Sequence, residues 1–188
     1  MRAATFDEQP GHEIFSDAER SAWHALFERH FGVADGRKAL DLASGTGVIS
    51  HLMHDLGFAV TGMDWSEAML EKARAKSRLR GSNIRFLLGD AEHTLEEDDS
   101  YDVIVTRHLV WTLVDPAAAF AEWFRVLKPG GKLLVVDGDF VSPTWATKLN
   151  KAMSGFLESI GLRKPTEPVA HMQTHRDILA RVHFSEGA

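Results

Sequence analysis

The sequence predicts an α/β fold in which helices cover both faces of a mostly parallel sheet. Short apolar runs that suit strands alternate with segments of helical periodicity from residue 17 to residue 136. Parallel strands need a crossover between them, so this alternation is typical of a parallel sheet buried on both faces. The chain has 188 residues, of which 44% are hydrophobic, and this suits one domain with a sizeable core.

The predicted elements follow one another in a regular order. The first helix, 17–31, has apolar residues at helical spacing and can be capped by Ser16 or Asp17. Five strands are predicted, at 39–43, 58–63, 84–88, 101–106 and 132–136. The helices between them are 48–56, a segment capped by Ser66 that runs to residue 80, and 116–127, which Pro116 opens.

The region after Asp139 departs from this order. It predicts a helix over 144–160 and a loop over 161–174, with no further clear strand. The sequence predicts a single domain over 1–188, in which the alternating segments form a ligand-binding core over 36–140.

Composition excludes several classes of function. The formal net charge is −6, so nucleic acid is not an expected partner. The chain has no cysteine, which excludes disulfides, thiolate metal sites and cysteine nucleophiles and fits a reducing cytoplasm. Neither a secretory signal nor a membrane-spanning apolar run is visible. His171 and His175 stand four residues apart without a third ligand, so no metal site is predicted.

A glycine-rich turn follows the first predicted strand, in the stretch ALDLASGTGVIS (39–50). Gly45 and Gly47 leave room for backbone amides to approach a ligand. The dinucleotide fingerprint G-x-G-x-x-G would place a third glycine where this chain has Ser50. Asp41 would repel a pyrophosphate but not a cationic ligand. These two residues disfavour a nicotinamide oxidoreductase.

Two more acids follow the next predicted strands. Asp64 ends the second strand, where a carboxylate suits a pair of ribose hydroxyls. Asp90 follows the third strand, where it can accept a hydrogen bond from an adenine amino group. Together with Asp41, these acids predict an adenosine ligand that carries positive rather than negative charge.

Five motifs in order resemble those of class I S-adenosylmethionine-dependent methyltransferases. They are DLASGTG, GMDWSEAML, GDAE, YDVIVTRHLVWTL and FRVLKPGGKLLVVD. The nearest group is the small-molecule methyltransferases of type 11, and the resemblance covers residues 39–137. It implies a Rossmann-like, doubly wound sheet with S-adenosylmethionine as the methyl donor and S-adenosylhomocysteine as the product.

The resemblance also implies how the rest of the chain is organised. The family core usually ends with two more strands, so we expect these strands to be missing from this chain, or the sheet to close differently. Segment 1–35 is expected to form an N-terminal helical lid, and 141–188 a variable cap over the acceptor. His12, Glu13 and Phe15 are candidates for the lid, or else belong to an ordered tail.

The resemblance also implies roles for individual residues. Gly45 and Gly47 are expected to lie against the methionine part and the ribose, while Asp41 holds the ammonium group. Trp65 either packs on the adenine face or is only a half-buried residue. The full set of predicted cofactor-binding residues is Asp41, Ala43, Gly45, Gly47, Asp64, Trp65, Asp90, Ala91 and Arg107, the last through its backbone.

The acceptor side of the site is less specified. Methyl transfer is an in-line displacement, which needs a general base only if the acceptor must lose a proton. His108 is the candidate base, or else a histidine that only shapes the pocket. Trp111 lines either the acceptor pocket or the core. The apolar stripe of the predicted helix 116–127 is expected to be core, and it comprises Phe120, Trp123, Phe124 and Leu127. The acidic run 95–99 is expected to be a solvated loop.

The predicted function is methyl transfer to a small-molecule acceptor through a nitrogen, oxygen or carbon nucleophile. The alternative is a protein that binds S-adenosylmethionine or S-adenosylhomocysteine as a sensor or partner subunit, without transfer. The sequence does not name the acceptor. Neither nucleic acid nor a membrane is expected as a partner, and a homodimer is one expectation for the oligomeric state.

Overall fold

In the computed structural model of the protein, the described residues are 16–137. The chain divides into two units, Met1–Gly138 and Asp139–Ala188, and all described residues belong to the first. The predicted domain boundaries stay a prediction. The predictions that lie outside the described residues are the lid residues His12, Glu13 and Phe15, the helix 144–160, the loop 161–174, and His171 and His175.

Four helices and five strands make up the described fold. The helices are α1 (Asp17–Phe31), α2 (Val48–Asp55), α3 (Glu67–Arg80) and α4 (Pro116–Val126). The strands are β1 (Lys38–Leu42), β2 (Ala59–Asp64), β3 (Arg85–Leu88), β4 (Tyr101–Arg107) and β5 (Leu127–Val136). A short 3-10 helix, Val110–Thr112, lies between β4 and α4. Every element that the sequence predicts in this range is present.

The five strands form one parallel sheet in the order β3-β2-β1-β4-β5. The chain runs outwards from the central β1 to β3 and then returns to the other side of β1 as β4. Adjacent strands β1 and β4 therefore mark a topological switch point, and ligands of open α/β sheets bind at the carboxyl edge beside such a point. The prediction of a doubly wound parallel sheet is confirmed.

Alternate residues of the central strand face different layers of helices. Ala39 packs in a cluster with Phe27 of α1 and Ile49 of α2. Leu40 packs in a second cluster with Trp123 of α4. Because side chains alternate across a strand, Asp41 points to the same face as Ala39, towards α2. This alternation places a carboxylate under the first turn of a helix.

Of the two helix caps that the sequence predicts, the one at α1 is confirmed and the one at α3 is wrong. Ser16 caps α1 by accepting a hydrogen bond of 3.1 Å from Glu19 N, and Asp115 caps α4 through Ala118 N at 3.0 Å. Ser66 precedes α3, but its side chain accepts no capping hydrogen bond. Its backbone N–H instead donates to Oδ1 of Asp64 at 2.9 Å. The start of α3 is therefore tied to the acid that ends β2.

Strand β5 begins at Leu127, five residues before its predicted start at Lys132. The pairing with β4 shifts between Tyr101↔Leu127 and Val103↔Lys132, so the intervening Lys-Pro-Gly-Gly forms an irregularity within the strand. Gly130 has φ 80°, in the left-handed region that glycine favours. The sequence predicted a strand only from Lys132, whereas the structure includes these four residues in the strand.

The prediction that the whole apolar stripe of α4 is core is wrong. Trp123 is fully buried, whereas Phe120 is 40% exposed and Phe124 is 81% exposed. The buried face runs through Ala119, Trp123 and Val126 at helical spacing. Phe120 and Phe124 each follow a residue of that face and so lie about 100° further round the helix.

The acidic run 95–99 lies at the surface, as predicted, but it is also paired. Glu96 accepts a hydrogen bond of 2.7 Å from Arg85, and Asp98 forms an ion pair with Arg125. In the part of the chain that the structure covers, no helix is long and apolar enough to cross a membrane.

Gly62 of β2 is required by packing. A Cβ atom at this position would lie 2.7 Å from two ring carbons of Phe86 and 2.9 Å from Oγ of Ser50. We expect Gly62→Ala to lower the free energy of unfolding by about 1–3 kcal/mol, because the buried ring must move. Chemical denaturation measures this, and Phe86→Leu in the same chain should restore part of the loss. A single variant as stable as the wild type would contradict the packing argument.

Candidate active site

The predicted site residues follow the carboxyl ends of four neighbouring strands. Asp41 and Ala43 lie at the end of β1, Asp64 ends β2, and Arg107 ends β4. The turn that contains Asp90 follows β3. The fold thus brings residues that are far apart in sequence to one edge of the sheet, next to the switch point.

Asp64 joins the glycine loop to the start of α3. Its Oδ2 accepts a hydrogen bond of 2.8 Å from Gly45 N, and its Oδ1 accepts one of 2.9 Å from Ser66 N. Burial raises the pKa of Asp64 above its ordinary value, although these backbone bonds oppose the rise. Each carboxylate oxygen has a second lone pair, so two further donors can be accommodated.

Asp41 is 1% exposed and accepts a hydrogen bond of 2.5 Å from Oγ of Ser50. Burial is the main cause that raises the pKa of Asp41 to about 7; the Ser50 bond and the nearby Arg107 charge lower it, and Asp64 raises it. Ser50 was predicted only as a departure from the dinucleotide fingerprint. In the fold it is a buried partner of Asp41. Its hydroxyl lies one helical turn after the glycines, and this spacing could have predicted the contact.

The raised pKa of Asp41 has a measurable consequence. The folded chain binds this proton more tightly than the unfolded chain, so the contribution of Asp41 to stability falls as pH rises from about 4 to about 7. Asp41→Asn removes this dependence. As pH rises over that interval, we therefore expect the unfolding free energy of the variant to increase relative to that of the wild type by roughly 4 kcal/mol at most. Denaturation of both proteins at several pH values measures the difference, and a difference that does not change with pH would contradict the assignment.

The loop between β1 and α2 has a left-handed backbone at three positions. Ala43, Gly45 and Gly47 have φ 57°, 56° and 82°. Of these three, Ala43 has the strained backbone, because residues with a side chain seldom adopt this conformation. Such strain is often found at ligand sites. A Cβ atom on Gly47 would lie 2.9 Å from Cζ of Phe86, so packing alone already requires this glycine.

Ser44, in the same loop, has a buried hydroxyl. Its Oγ makes no hydrogen bond to any described residue. Backbone amides of the loop already have acceptors: Ser44 N donates to Met63 O of β2, and Gly47 N donates to Ser44 O, both at 2.9 Å. The loop is therefore pre-formed, and Ser44 contributes a polar atom that a ligand could satisfy.

Trp65 follows Asp64 and is 87% exposed. The half-buried placement that was one of its two predicted readings is not found. An indole beside the ribose-binding candidate is available to stack on an adenine, and this role stays a prediction.

Asp90 and Ala91 form a turn after β3. Oδ1 of Asp90 accepts a hydrogen bond of 2.9 Å from Glu92 N. The carbonyl oxygen of Ala91 accepts one of 2.7 Å from Nε1 of the buried Trp123. Helix α4 thus fixes the turn that is predicted to contact the adenine edge.

The side chain of Arg107 points towards α1. Its guanidinium carbon lies 5.3 Å from the ring centroid of Trp23, a cation–π contact. Burial lowers the pKa of Arg107, while the charges of Glu19 and Asp41 oppose this. The sequence indicated only a backbone role for Arg107, because the contact with α1 depends on tertiary packing.

His108 has a left-handed backbone, with φ 59°, and its N–H donates to Val136 O at 3.0 Å. Its Nδ1 lies 3.8 Å from Oδ1 of Asp137, the residue that follows β5. A nearby carboxylate stabilises a protonated imidazole. Sequence analysis did not identify Asp137. Within 16–137, no three histidine, aspartate or glutamate side chains come together in a way that could hold a metal ion.

Comparison with known proteins places this arrangement in a family. Residues 40–135, just over half of the chain, match the family described as "Methyltransferase domain". The demethylmenaquinone methyltransferase of Renibacterium salmoninarum is 31% identical over 186 residues, covering 95% of this chain and 76% of the relative. The ubiquinone/menaquinone biosynthesis C-methyltransferase UbiE of Shewanella oneidensis is 36% identical over 136 residues, covering 67% of this chain and 54% of the relative.

A solved structure shows the same fold. The PH0226 protein from Pyrococcus horikoshii OT3 superimposes with a TM-score of 0.60 at 30% identity, covering 86% of this chain and 70% of that chain. The range that matches the family, 40–135, contains β2, β3 and β4, most of β1 and β5, and the loops of the predicted cofactor site. This match confirms the resemblance indicated by the five motifs. The chain belongs to the class I S-adenosylmethionine-dependent methyltransferases.

Proposed function

We propose that this chain transfers the methyl group of S-adenosylmethionine to a ring carbon of a quinone-type acceptor. The names of two relatives, a demethylmenaquinone methyltransferase and a ubiquinone/menaquinone biosynthesis C-methyltransferase, support this acceptor class. The observation that carries the proposal is the first alignment, because it covers 95% of the chain and so extends beyond the cofactor core. The proposal narrows the predicted nitrogen, oxygen or carbon acceptor to carbon.

The residues at the carboxyl edge fit S-adenosylmethionine by their chemistry. Asp64 would accept hydrogen bonds from the ribose hydroxyls, and Asp41 would face the ammonium group of the methionine part. The exposed indole of Trp65 would pack on the adenine beside Asp90 and Ala91. When bound, the cofactor supplies a methyl group that its sulfonium charge has already activated.

His108 is the base that we propose for the acceptor. A ring carbon becomes nucleophilic when a neighbouring hydroxyl of the reduced ring loses its proton, so this acceptor needs a base. Asp137 beside Nδ1 would stabilise the imidazolium that forms. The cofactor would supply the methyl group to this ring carbon. The ring C–H proton would then leave to solvent, and the imidazolium would return its proton to the ring oxygen, which restores the aromatic quinol and the neutral His108.

His108→Asn tests the base directly. Asparagine tolerates the left-handed backbone at this position, so the loop should keep its shape. We expect turnover to fall about a hundredfold, because general base catalysis contributes at least that much, with S-adenosylhomocysteine affinity unchanged. Initial rates at saturating cofactor and calorimetric titration measure the two effects. Turnover close to that of the wild type would leave His108 with only a structural role.

A product assay tests the function as a whole. The full chain is incubated with S-adenosylmethionine that carries a deuterated methyl group and with a chemically reduced naphthoquinone that lacks its ring methyl. We expect mass spectrometry to show the labelled methyl group in place of a ring hydrogen. Binding of S-adenosylhomocysteine without product from quinol, phenol or amine acceptors would instead favour the sensor or partner-subunit alternative.

The cytoplasmic location and the homodimer stay predictions. The acidic, cysteine-free composition supports the first. Light scattering on the purified chain, with and without S-adenosylhomocysteine, measures the second.

A further inference from the structure

Glu92 joins two loops at the carboxyl edge of the sheet. Its Oε1 accepts a hydrogen bond of 2.8 Å from Val114 N, and its Oε2 accepts one of 2.9 Å from Asp115 N. Both oxygens of one carboxylate are thus used by consecutive backbone amides that lie more than 20 residues further along the chain. A bidentate, charge-assisted arrangement of this kind fixes orientation as well as distance.

The backbone of Glu92 belongs to the turn predicted to contact adenine. Its N–H donates to Oδ1 of Asp90 at 2.9 Å. Ala91, between these two residues, is held by Nε1 of Trp123 at 2.7 Å. A ligand that engages Asp90 or Ala91 therefore acts on the residue that holds the second loop.

The second loop, residues 108–115, carries His108 and the 3-10 helix. Its first part is held by Asp137, whose Oδ2 accepts a hydrogen bond of 3.0 Å from Val110 N. Its last part is held by Glu92, just before Asp115 caps α4. Carboxylates from two different segments thus position the loop at both ends.

Loss of the Glu92 carboxylate should free this loop without unfolding the protein. Val114 is 88% exposed, so water can replace the carboxylate at the two amides. No buried donor would be left unsatisfied at that point. Loss of the carboxylate should therefore change the position of the loop more than it changes the free energy of unfolding.

We propose that Glu92 is a positioning residue. It couples ligand binding at the turn of residues 90–92, called the adenine turn, to the placement of the loop 108–115. The proposal rests on the proposed function for the identity of the cofactor and for the role of His108 as base. In this arrangement, binding of the cofactor helps to order the candidate base before the acceptor reacts.

Amide NMR spectra of the full chain test the coupling. Addition of S-adenosylhomocysteine to the wild type should shift the amides of residues 110–115 as well as those of Gly45 and Ser66. In Glu92→Ala, the shifts of Gly45 and Ser66 should remain while those of 110–115 are lost. Glu92→Gln should give an intermediate result, because one amide oxygen can replace only one of the two acceptors.

Glu97→Ala is the matched control, since Glu97 is an exposed glutamate of the same β3–β4 connection. It should behave as the wild type does. The coupling is overturned if the shifts of 110–115 persist in Glu92→Ala, or if Glu97→Ala loses them equally. A wild-type spectrum that S-adenosylhomocysteine does not change anywhere would overturn the cofactor assignment together with the coupling, whereas the first two outcomes leave that assignment standing.

Discussion

Asp64→Ala is expected to weaken S-adenosylhomocysteine binding by between about a hundredfold and ten-thousandfold. The variant loses two hydrogen bonds from the ribose hydroxyls to an ionised carboxylate, each worth about 1.5–3 kcal/mol. It also removes the acceptor for Gly45 N and Ser66 N, so the glycine loop loses its tie to α3. Calorimetric titration of the two proteins measures the loss.

Asp102→Ala is the matched control for this experiment. Asp102 also accepts a backbone hydrogen bond, from Lys38 N at 2.8 Å, but it lies at the opposite edge of the sheet. Its replacement should alter stability without altering affinity. Asp64→Asn keeps one oxygen acceptor and should fall between the wild type and the alanine variant. Equal affinity in the wild type and Asp64→Ala would refute the ribose assignment.

Trp123→Ala is expected to produce the largest loss of stability. The side chain is fully buried in the cluster that joins α4 to the sheet, and its removal leaves a large cavity. Such truncations cost about 3–5 kcal/mol, which corresponds to a fall of roughly 6–20 °C in the melting temperature of a chain of this size. Thermal unfolding followed by circular dichroism measures the change.

Two further tryptophan variants separate packing from hydrogen bonding. Trp123→Phe keeps the aromatic ring but loses the bond from Nε1 to Ala91 O, so it should cost far less stability while loosening the adenine turn. Trp65→Ala should leave the melting temperature nearly unchanged, because this side chain is exposed, yet weaken cofactor binding. A melting temperature unchanged in Trp123→Ala would contradict the place of α4 in the core.

Sequence periodicity was enough to predict the elements but not their arrangement. Helices α1 and α3 have the predicted bounds, and the bounds of α2, α4 and strands β1 to β4 differ by at most one residue at either end, since each element carries its own apolar pattern and its own turn residues. Strand order depends on pairings between distant segments, which no local pattern records. The exposure of Phe124 was missed for a related reason: a short apolar stripe does not show which of its edges meets the sheet.

The candidate site was predictable where a residue stands at the end of a strand. Asp41 and Asp64 were identified in this way, because parallel strands bring their carboxyl ends to one edge. Two contacts of the site were not identified, the hydrogen bond from Ser50 of α2 to Asp41 and the contact of Trp23 of α1 with Arg107, because both depend on helix packing. Glu92 stands inside the motif GDAE, but its bonds to Val114 N and Asp115 N depend on the folded chain.

The central claim is that the carboxyl edge binds an adenosine ligand with a cationic amino-acid tail. Calorimetric titration of the full chain with S-adenosylhomocysteine, with NADH as the competing ligand, tests this claim most directly. We predict saturable binding of S-adenosylhomocysteine that Asp64→Ala abolishes or greatly weakens, together with no comparable binding of NADH. Absence of heat with S-adenosylhomocysteine at millimolar concentration, or tighter binding of NADH, would contradict it.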